Sequence, residues 1–416
     1  MDSVELYRQL LGLMPPWTVE RVELDMARQH VEVYVGHAAG QRFACSECGL
    51  ELRVYDHLAS QDWRHLDGCQ FLTYLHARPP RVSCPQHGVR QVNLPWAQAG
   101  SRFTSMFEAL AIDVLQAANV KRAAAILRIT WDEAWHLMER AVLRGRAAKD
   151  DVIPQQIGID EKAIAKGHRY MTLVCDLQEA SVEYIGEDRK QTSLEAYFGA
   201  FEREQLESIE AVSLDMWQPY INACRDKVPE ADTKMVFDRF HIMSHVVDAV
   251  DRVRKLEHKA LMGRGDNTLS KTKYLWLTNP SNMTDQARQR FDEIKHAELK
   301  TSRAWALKEA LRELWHYTSV AWATKFWKRW YFWATHSRLP PMIAAAKLIA
   351  RHLPNVLTYF THRISNAVAE GLNSRIATVQ KRACGYRNRD HFKIAVYFHC
   401  GGLDLYPAHT THTKVG

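Results

Sequence analysis

Two short turns constrain this 416-residue chain more than anything else in it: Cys45-Ser-Glu-Cys48-Gly and Cys84-Pro-Gln-His87-Gly. Each is a ligand-x-x-ligand turn ending in glycine, a geometry in which two side chains and nearby backbone N–H groups wrap one metal ion. Thirty-five residues separate Cys48 from Cys84, and they read as strands. Together the turns supply four soft or borderline ligands, Cys45, Cys48, Cys84 and His87, for one tetrahedral zinc ion, so two remote points of the chain are pinned together. Cys69, His57 and His65 are further ligands within reach of this segment if His87 does not serve. A closed four-ligand site is structural and performs no chemistry of its own.

The remaining cysteines exclude a disulfide framework. Cys175, Cys224, Cys384 and Cys400 are scattered singly, which fits a reducing compartment. No run of eighteen apolar residues occurs, and the start MDSVELYRQLLGL is charged where a signal peptide needs an apolar centre. The expectation is a cytoplasmic protein without membrane association, and a net charge of +7 tilts it toward a polyanionic partner.

Periodicity divides the chain into a multidomain α+β protein. Residues 1–98 are strand-like and loop-rich: RVELDMARQHVEVYVGH alternates as a half-buried strand does, and FLTYLHARPPRVSC follows suit. Residues 99–150 turn helical. FTSMFEALAIDVLQAA makes one helix, and VKRAAAILRI and TWDEAWHLMERAVL make two more, with a tight break at Arg128 to Thr130 and Thr130 as N-cap. The alanines permit the close crossing of a helix-turn-helix, whose second helix enters a major groove. Lys121, Arg122 and Arg128 are its candidate DNA contacts.

From 151 to 240 the period switches to two. IGIDEKAI, RYMTLVCDL and SVEYIGE read as strands, SLEAYFGAFEREQ as a helix, SIEAVSLD as a strand, MWQPYINACRDK as a helix and TKMVFD as a strand. That order is the order of a ribonuclease-H-like mixed sheet. Residues 241–360 are almost wholly helical, with one clear break at MGRGDNTLSKTKYLWLTNPSN. Six of the thirteen tryptophans fall between 305 and 333, including WATKFWKRWYFW. Basic residues interleaved with aromatics can stack nucleic acid, although at helical spacing they are more often packed core with snorkelling cations. Residues 361–404 form a last helix and a basic segment, and 405–416 a short polar tail expected to fray.

Three carboxylates carry the chemistry. Asp160 ends the apolar run Ile157-Gly158-Ile159, and Asp215 ends Val212-Ser213-Leu214. At the carboxyl ends of buried strands lying side by side, the two would share a divalent cation. The third is Glu370, in NAVAEGLNSRI, where Asn366, Glu370 and Asn373 fall in one narrow helical sector and Ile364, Val368, Leu372 and Val379 project from the other side. Three hard oxygen ligands suit Mg²⁺ or Mn²⁺. Two such ions clamp the attacking and leaving oxygens of an in-line phosphodiester displacement. The flanking segment is basic, with seven Lys or Arg against two Asp or Glu from Arg363 to Lys393. Arg363, Arg375, Lys381, Arg382, Arg387, Arg389 and Lys393 are the expected phosphate-binding surface.

The succession of zinc knuckles, helix-turn-helix, GIDE, SLDMW, VFDRFH, YLWLTNP and SNAVAEGLNSRI with GYRN downstream resembles the ISL-three family of bacterial insertion-sequence transposases over nearly the whole chain. The resemblance implies that Asp160, Asp215 and Glu370 correspond to a DDE triad and that 241–360 is an insertion before the last acid. Asp238, Arg239 and His241 match a family motif and line the site in unassigned roles. Asn366 and Asn373 are placed to bond metal ligands or DNA phosphate. The family often has Cys where His87 stands. The implied protein is a nucleoid-associated DNA transposase that binds its element's terminal inverted repeats, cuts there, and joins the 3′-hydroxyls to target DNA, as at least a dimer because two ends must meet. A DNA-binding regulator without turnover, or a metal-dependent nuclease without strand joining, are the competing readings.

Overall fold

The computed structural model describes residues 2–165 and 169–408, so the tail beyond 408 lies outside the described residues. The chain divides into two compact units: Met1–Asp150 with Val379–His399 and Leu403–Gly416, and Asp151–Thr378 with Cys400–Gly402.

The first unit opens on a helix that alternation does not announce, α1 (Ser3–Leu10), capped by the Asp2 carboxylate accepting the Glu5 N–H at 2.8 Å. The alternating stretch up to His37 is two strands rather than one. β1 (Trp17–Asp25) and β2 (His30–His37) pair antiparallel, and the turn between them places Gln29 at φ 56°. Apolar alternation has the same period on both sides of such a turn, so the reversal is invisible to it. β3 (Arg42–Ala44), β4 (Glu51–His57), β5 (Gln61–Gly68), β6 (Phe71–Ala77), β7 (Pro80–Cys84) and β8 (Gly88–Gln91) complete two four-stranded sheets, ordered β1-β2-β6-β5 and β3-β4-β7-β8. Trp17, Val33, Trp63, Leu75, Val82 and Trp96 are buried in one core together with Cys45 and Cys84.

Three helices follow, the last with the expected cap at Thr130. α2 (Ser105–Ala117) is capped by Thr104, α3 (Val120–Leu127) by Asn119, and α4 (Trp131–Ala148) by a full capping box between Thr130 and Glu133. The break falls on Arg128, in the left-handed conformation at φ 55°. Ala123 and Ala124 are buried, consistent with close helix crossing.

The second unit is built on one five-stranded sheet: β9 (Gln156–Ala165), β10 (Arg169–Asp176), β11 (Ser181–Ile185), β12 (Ala211–Leu214) and β13 (Met235–Phe237), ordered β11-β10-β9-β12-β13. The first three strands are antiparallel and the last two run parallel to β9. The helix expected over SLEAYFGAFEREQ is two, α5 (Gln191–Phe198) and α6 (Arg203–Glu207), the second starting afresh where Gln205 Oε1 accepts the Glu202 N–H at 2.9 Å. α7 (Gln218–Lys227) and α8 (Ala231–Lys234) bracket the last crossover.

α9 (Arg239–Met262) then begins a helical region of α10 (Lys273–Leu277), α11 (Asp285–Ile294), α12 (Lys300–Arg312), α13 (Val320–Thr335), α14 (Pro340–Arg351), α15 (Leu353–Leu357) and α16 (Tyr359–His362). α10 interrupts the stretch expected as loop. It forms because Leu275 and Trp276 are buried and because Lys308, itself fully buried, donates from Nζ to the Trp276 carbonyl at 2.9 Å. The tryptophan-rich run is α13, with Trp327 and Trp330 in the core and Trp322 and Trp333 exposed. α17 (Ala367–Arg382) carries Glu370, and α18 (Arg389–Cys400) closes the fold. Among the described residues no helix is long and apolar enough to cross a membrane.

Candidate active site

The sheet brings two acids level. β12 pairs with β9 in parallel register, Ala211 with Gln156, Val212 with Ile157 and Ser213 with Gly158. Two residues further along the same register, Asp215 stands level with Asp160. Asp160 does not end its strand, as the apolar run suggests, but lies in mid-strand, because β9 continues against β10 to Ala165 after β12 has left it. Both acids line a cleft of about 190 Å³ with Glu161, Arg189, Trp217, Tyr220, His241 and His245.

Each acid is held by a different partner. Asp160 Oδ1 accepts the Glu161 N–H at 2.7 Å, and Oδ2 accepts Nδ2 of Asn373 at 2.5 Å. Burial, reinforced by the charge of Asp215, pushes the Asp160 carboxyl up to about 6 despite those bonds. Asp215 Oδ1 lies 2.9 Å from Nε2 of His241. Burial pulls His241 down, but its bond to Asp215 and the negative charges of Asp215, Asp238 and Asp160 outweigh it and hold the imidazole above its ordinary value.

Asp238 is buried and caps α9, its Oδ2 accepting the N–H groups of Phe240 at 2.9 Å and His241 at 3.3 Å. Its Oδ1 accepts the Asn366 N–H at 3.4 Å, which ties the entry of α17 to the sheet. Glu370 is exposed on α17, yet partial desolvation and the charges of Asp238 and Asp215 raise its carboxyl, while His241 and Arg239 lower it. It therefore shares their electrostatic neighbourhood, but it does not line the cleft. Among the described residues the only group of three or more ligands with atoms within 4.8 Å of one another is the Cys/His group below, so the three acids do not converge that far. Uncompensated carboxylates repel, and here Asn373 and His241 hold two of them instead.

Asn366 sits differently from the stripe its spacing suggests. It precedes α17, is fully buried, and neither amide atom has a hydrogen-bond partner. Its Oδ1 lies 3.1 Å from where a Cβ on Gly158 would stand, so the missing side chain at 158 makes room for it. The buried face of α17 is Ala369, Leu372, Ile376 and Val379, with Val368 only half-buried. Asn373 Oδ1 is likewise buried without a partner. Orphaned amide oxygens beside raised carboxylates are a donor set that fits a hard divalent cation.

Asn373 offers a direct test of this arrangement. Its bond favours the charged form of Asp160, so Asn373→Leu removes that help and raises the carboxyl further. A carboxylate must be ionised to hold a cation, so the acid limb of divalent-cation binding, followed by metal titration at a series of pH values, should move to higher pH and the affinity should fall about 10–100-fold. An unmoved acid limb would contradict the contact.

The zinc ligands converge as their spacing requires. Cys45, Cys48, Cys84 and His87 offer ligand atoms all within 4.8 Å of one another, with Cys48 Sγ 3.7 Å and His87 Nδ1 3.5 Å from Cys84 Sγ. Gly49 and Gly88 close the two turns at φ 73° and 69°. Backbone N–H groups of Gln86 and His87 help bring the Cys84 thiol down to about 6, which favours the thiolate a metal needs. The substitutes are engaged elsewhere or turned away: His65 bonds Thr104, His57 faces His37, and Cys69 occupies an exposed hairpin turn.

The basic candidates fall into two groups. Arg128 donates to the Gln70 carbonyl and side chain, Arg363 to the Tyr317 and Thr318 carbonyls, and Arg382 to the Gln116 and Ala117 carbonyls. These three hold the protein's own backbone. Lys121, Arg122, Arg375, Lys381, Arg387 and Arg389 are exposed, and Lys393 is half-buried. Arg239 is exposed at the first turn of α9. His245, one turn beyond His241, carries a signal that spacing could have given. Nothing in the sequence marks Arg189, which reaches the cleft from a loop, 3.6 Å from Glu161 and over the rings of Tyr170 and Trp217.

A family profile described as a transposase, the DDE domain of the ISL3 group, matches residues 157–396. The helix-turn-helix domain of transposase family ISL3 matches 92–142, and the zinc-finger of transposases IS204, IS1001, IS1096 and IS1165 matches 41–87. The chain is 28% identical to the transposase for insertion sequence element IS1001 of Bordetella parapertussis, over 94% of this chain and 98% of that one. It is 26% identical to the transposase for IS1557 of Mycobacterium tuberculosis, over 93% of each. The zinc-finger match and the converged Cys/His ligands together support a structural zinc ion.

Proposed function

The chain belongs to the ISL3 family of transposases, and from that premise we propose that it binds the terminal inverted repeats of an insertion sequence and catalyses metal-dependent DNA cleavage and strand transfer. The observation that carries the reading is Asp160 in β9 and Asp215 directly after the adjacent parallel strand β12, lining one cleft, with Asp160 raised to about 6 and bonded to Asn373. The sheet order, three antiparallel strands followed by two parallel ones, supports a ribonuclease-H-like core over 151–240 with its last helix after the insertion 241–360.

Asp160, Asp215 and Glu370 would hold two Mg²⁺ or Mn²⁺ ions, which supply the charge that activates water or a 3′-hydroxyl and stabilises the departing 3′-oxygen. His241 orients Asp215, as Asn373 orients Asp160. Asp238 fixes α9 and the start of α17, so the elements bearing His241 and Glu370 are set by one buried carboxylate. Residues 1–98 and 99–150 read the terminal DNA. Lys121 and Arg122 at the start of α3, with Arg375, Lys381, Arg387, Arg389 and Lys393, contact phosphate, and a pair of protomers brings two ends together. The exposed N-terminal turn of α4 carries Asp132, so phosphate contact falls to the neighbouring basic residues.

Labelled terminal DNA incubated with the protein, Mg²⁺ and a target plasmid tests this. Nicked ends and joined products are expected. Binding alone would instead identify a non-catalytic regulator, and cleavage without joining a nuclease.

A further inference from the structure

The tryptophan-rich helix α13 has two faces of opposite character. Ala323, Trp327, Trp330 and Ala334 are buried, and Trp330 Nε1 donates to the Leu307 carbonyl at 2.8 Å, so the helix rests on a fixed base. On the other side Trp322, Phe332 and Trp333 are 59%, 63% and 45% exposed. Lys325 and Arg329 are exposed between them, and His336 follows, stacked on Phe332 with ring centroids 4.0 Å apart. Positions 322, 325, 329, 332, 333 and 336 recur at three- and four-residue steps, so they form one stripe about 21 Å long. No Asp or Glu occurs from Val320 to Thr335, which carries Lys325, Lys328 and Arg329.

Large exposed aromatics interrupted by cations suit one kind of occupant. Protein interfaces are depleted of lysine, whereas nucleic-acid platforms pair ring faces for bases with cations for phosphates. A ring face can stack only on a base that has left its neighbours, so duplex DNA does not use it fully. Lys325 Nζ sits over one face of the Trp322 ring, 5.1 Å from its centroid, so ring and cation are presented together.

We propose that the exposed stripe Trp322, Lys325, Arg329, Phe332 and Trp333 is a stacking surface for unpaired DNA, and that it holds the strand separated from its partner at a cut end. The assignment rests on the DNA-transposition reading and names the form of DNA the helical insertion takes.

Fluorescence anisotropy with a labelled oligothymidine and a blunt duplex, on the full chain, tests it. Joint substitution Trp322→Ala, Phe332→Ala and Trp333→Ala should weaken oligothymidine binding at least about tenfold and leave duplex binding unchanged. Trp322→Tyr with Trp333→Tyr should retain it, since a ring face survives. Lys325→Gln should lower the salt slope of oligothymidine binding by about 0.7. Circular dichroism checks that each variant folds. Unchanged oligothymidine binding by the alanine variant overturns the proposal, as does loss of self-association in sedimentation with DNA binding intact, which would make the stripe a contact between copies. Wild-type protein that binds oligothymidine through these rings yet leaves terminal DNA uncut would support the surface and overturn the transposition reading.

Discussion

Glu370→Gln, Asp160→Asn and Asp215→Asn should each bind terminal DNA as the parent does and yield at least about a hundredfold less cleaved and joined product. Losing a partner one step removed from a metal costs about 10–100-fold, and losing a ligand itself should cost no less. The amides preserve shape, so folding is not the cause, and they remove the charge that draws in the cation. Glu370→Gln is the most telling of the three. Glu370 feels Asp215 and Asp238 electrostatically but does not line the cleft that Asp160 and Asp215 share. Metal titration followed by a gel of labelled ends measures the effect. A Glu370→Gln protein that cuts and joins at the parental rate removes this acid from the triad, and another carboxylate must then be sought.

Stripping zinc should collapse the first sheets. Structural zinc contributes about 10–16 kcal/mol in small modules, more than a core of this size supplies by itself. Cys45 and Cys84 lie within the core that holds Trp17, Trp63 and Trp96, where Trp17 and Trp96 meet edge to face at 4.9 Å. Cys84→Ser, or a strong chelator, should therefore abolish the near-ultraviolet dichroism of those rings and expose residues 1–98 to protease. Metal analysis of the parent should give one zinc per chain. His87→Cys should keep it, since a thiolate meets the same tetrahedral demand. A Cys84→Ser protein with full zinc content and unchanged dichroism would mean that Cys84 is not a ligand.

Local signals were legible wherever neighbours in sequence decide the outcome. Thr130 and Glu133 specify their own cap, and Gly49 and Gly88 specify their own turns. Reversals that keep the apolar period were not legible, as between β1 and β2, nor was a short helix such as α10, whose cap comes from Lys308 thirty-one residues beyond Leu277. At the site, residue type identified Asp160, Asp215 and Asn373, whereas Arg189 left no trace because a loop residue has no period to betray it.

By itself the sequence determined that Cys45, Cys48, Cys84 and His87 form one group, that Thr130 caps its helix and that strands and helices alternate as they do from 151 to 240, because each depends on spacings of a few residues and the fixed geometry of turn, helix and strand. Only the tertiary structure decided what the acids and rings face. It set Asp160 in mid-strand level with Asp215, buried Asn366 against Gly158, gave Asp215 to His241, and turned Trp327 inward and Trp322 outward. Those outcomes are fixed by packing between segments far apart in the chain, where burial and charge, rather than local periodicity, choose the partner.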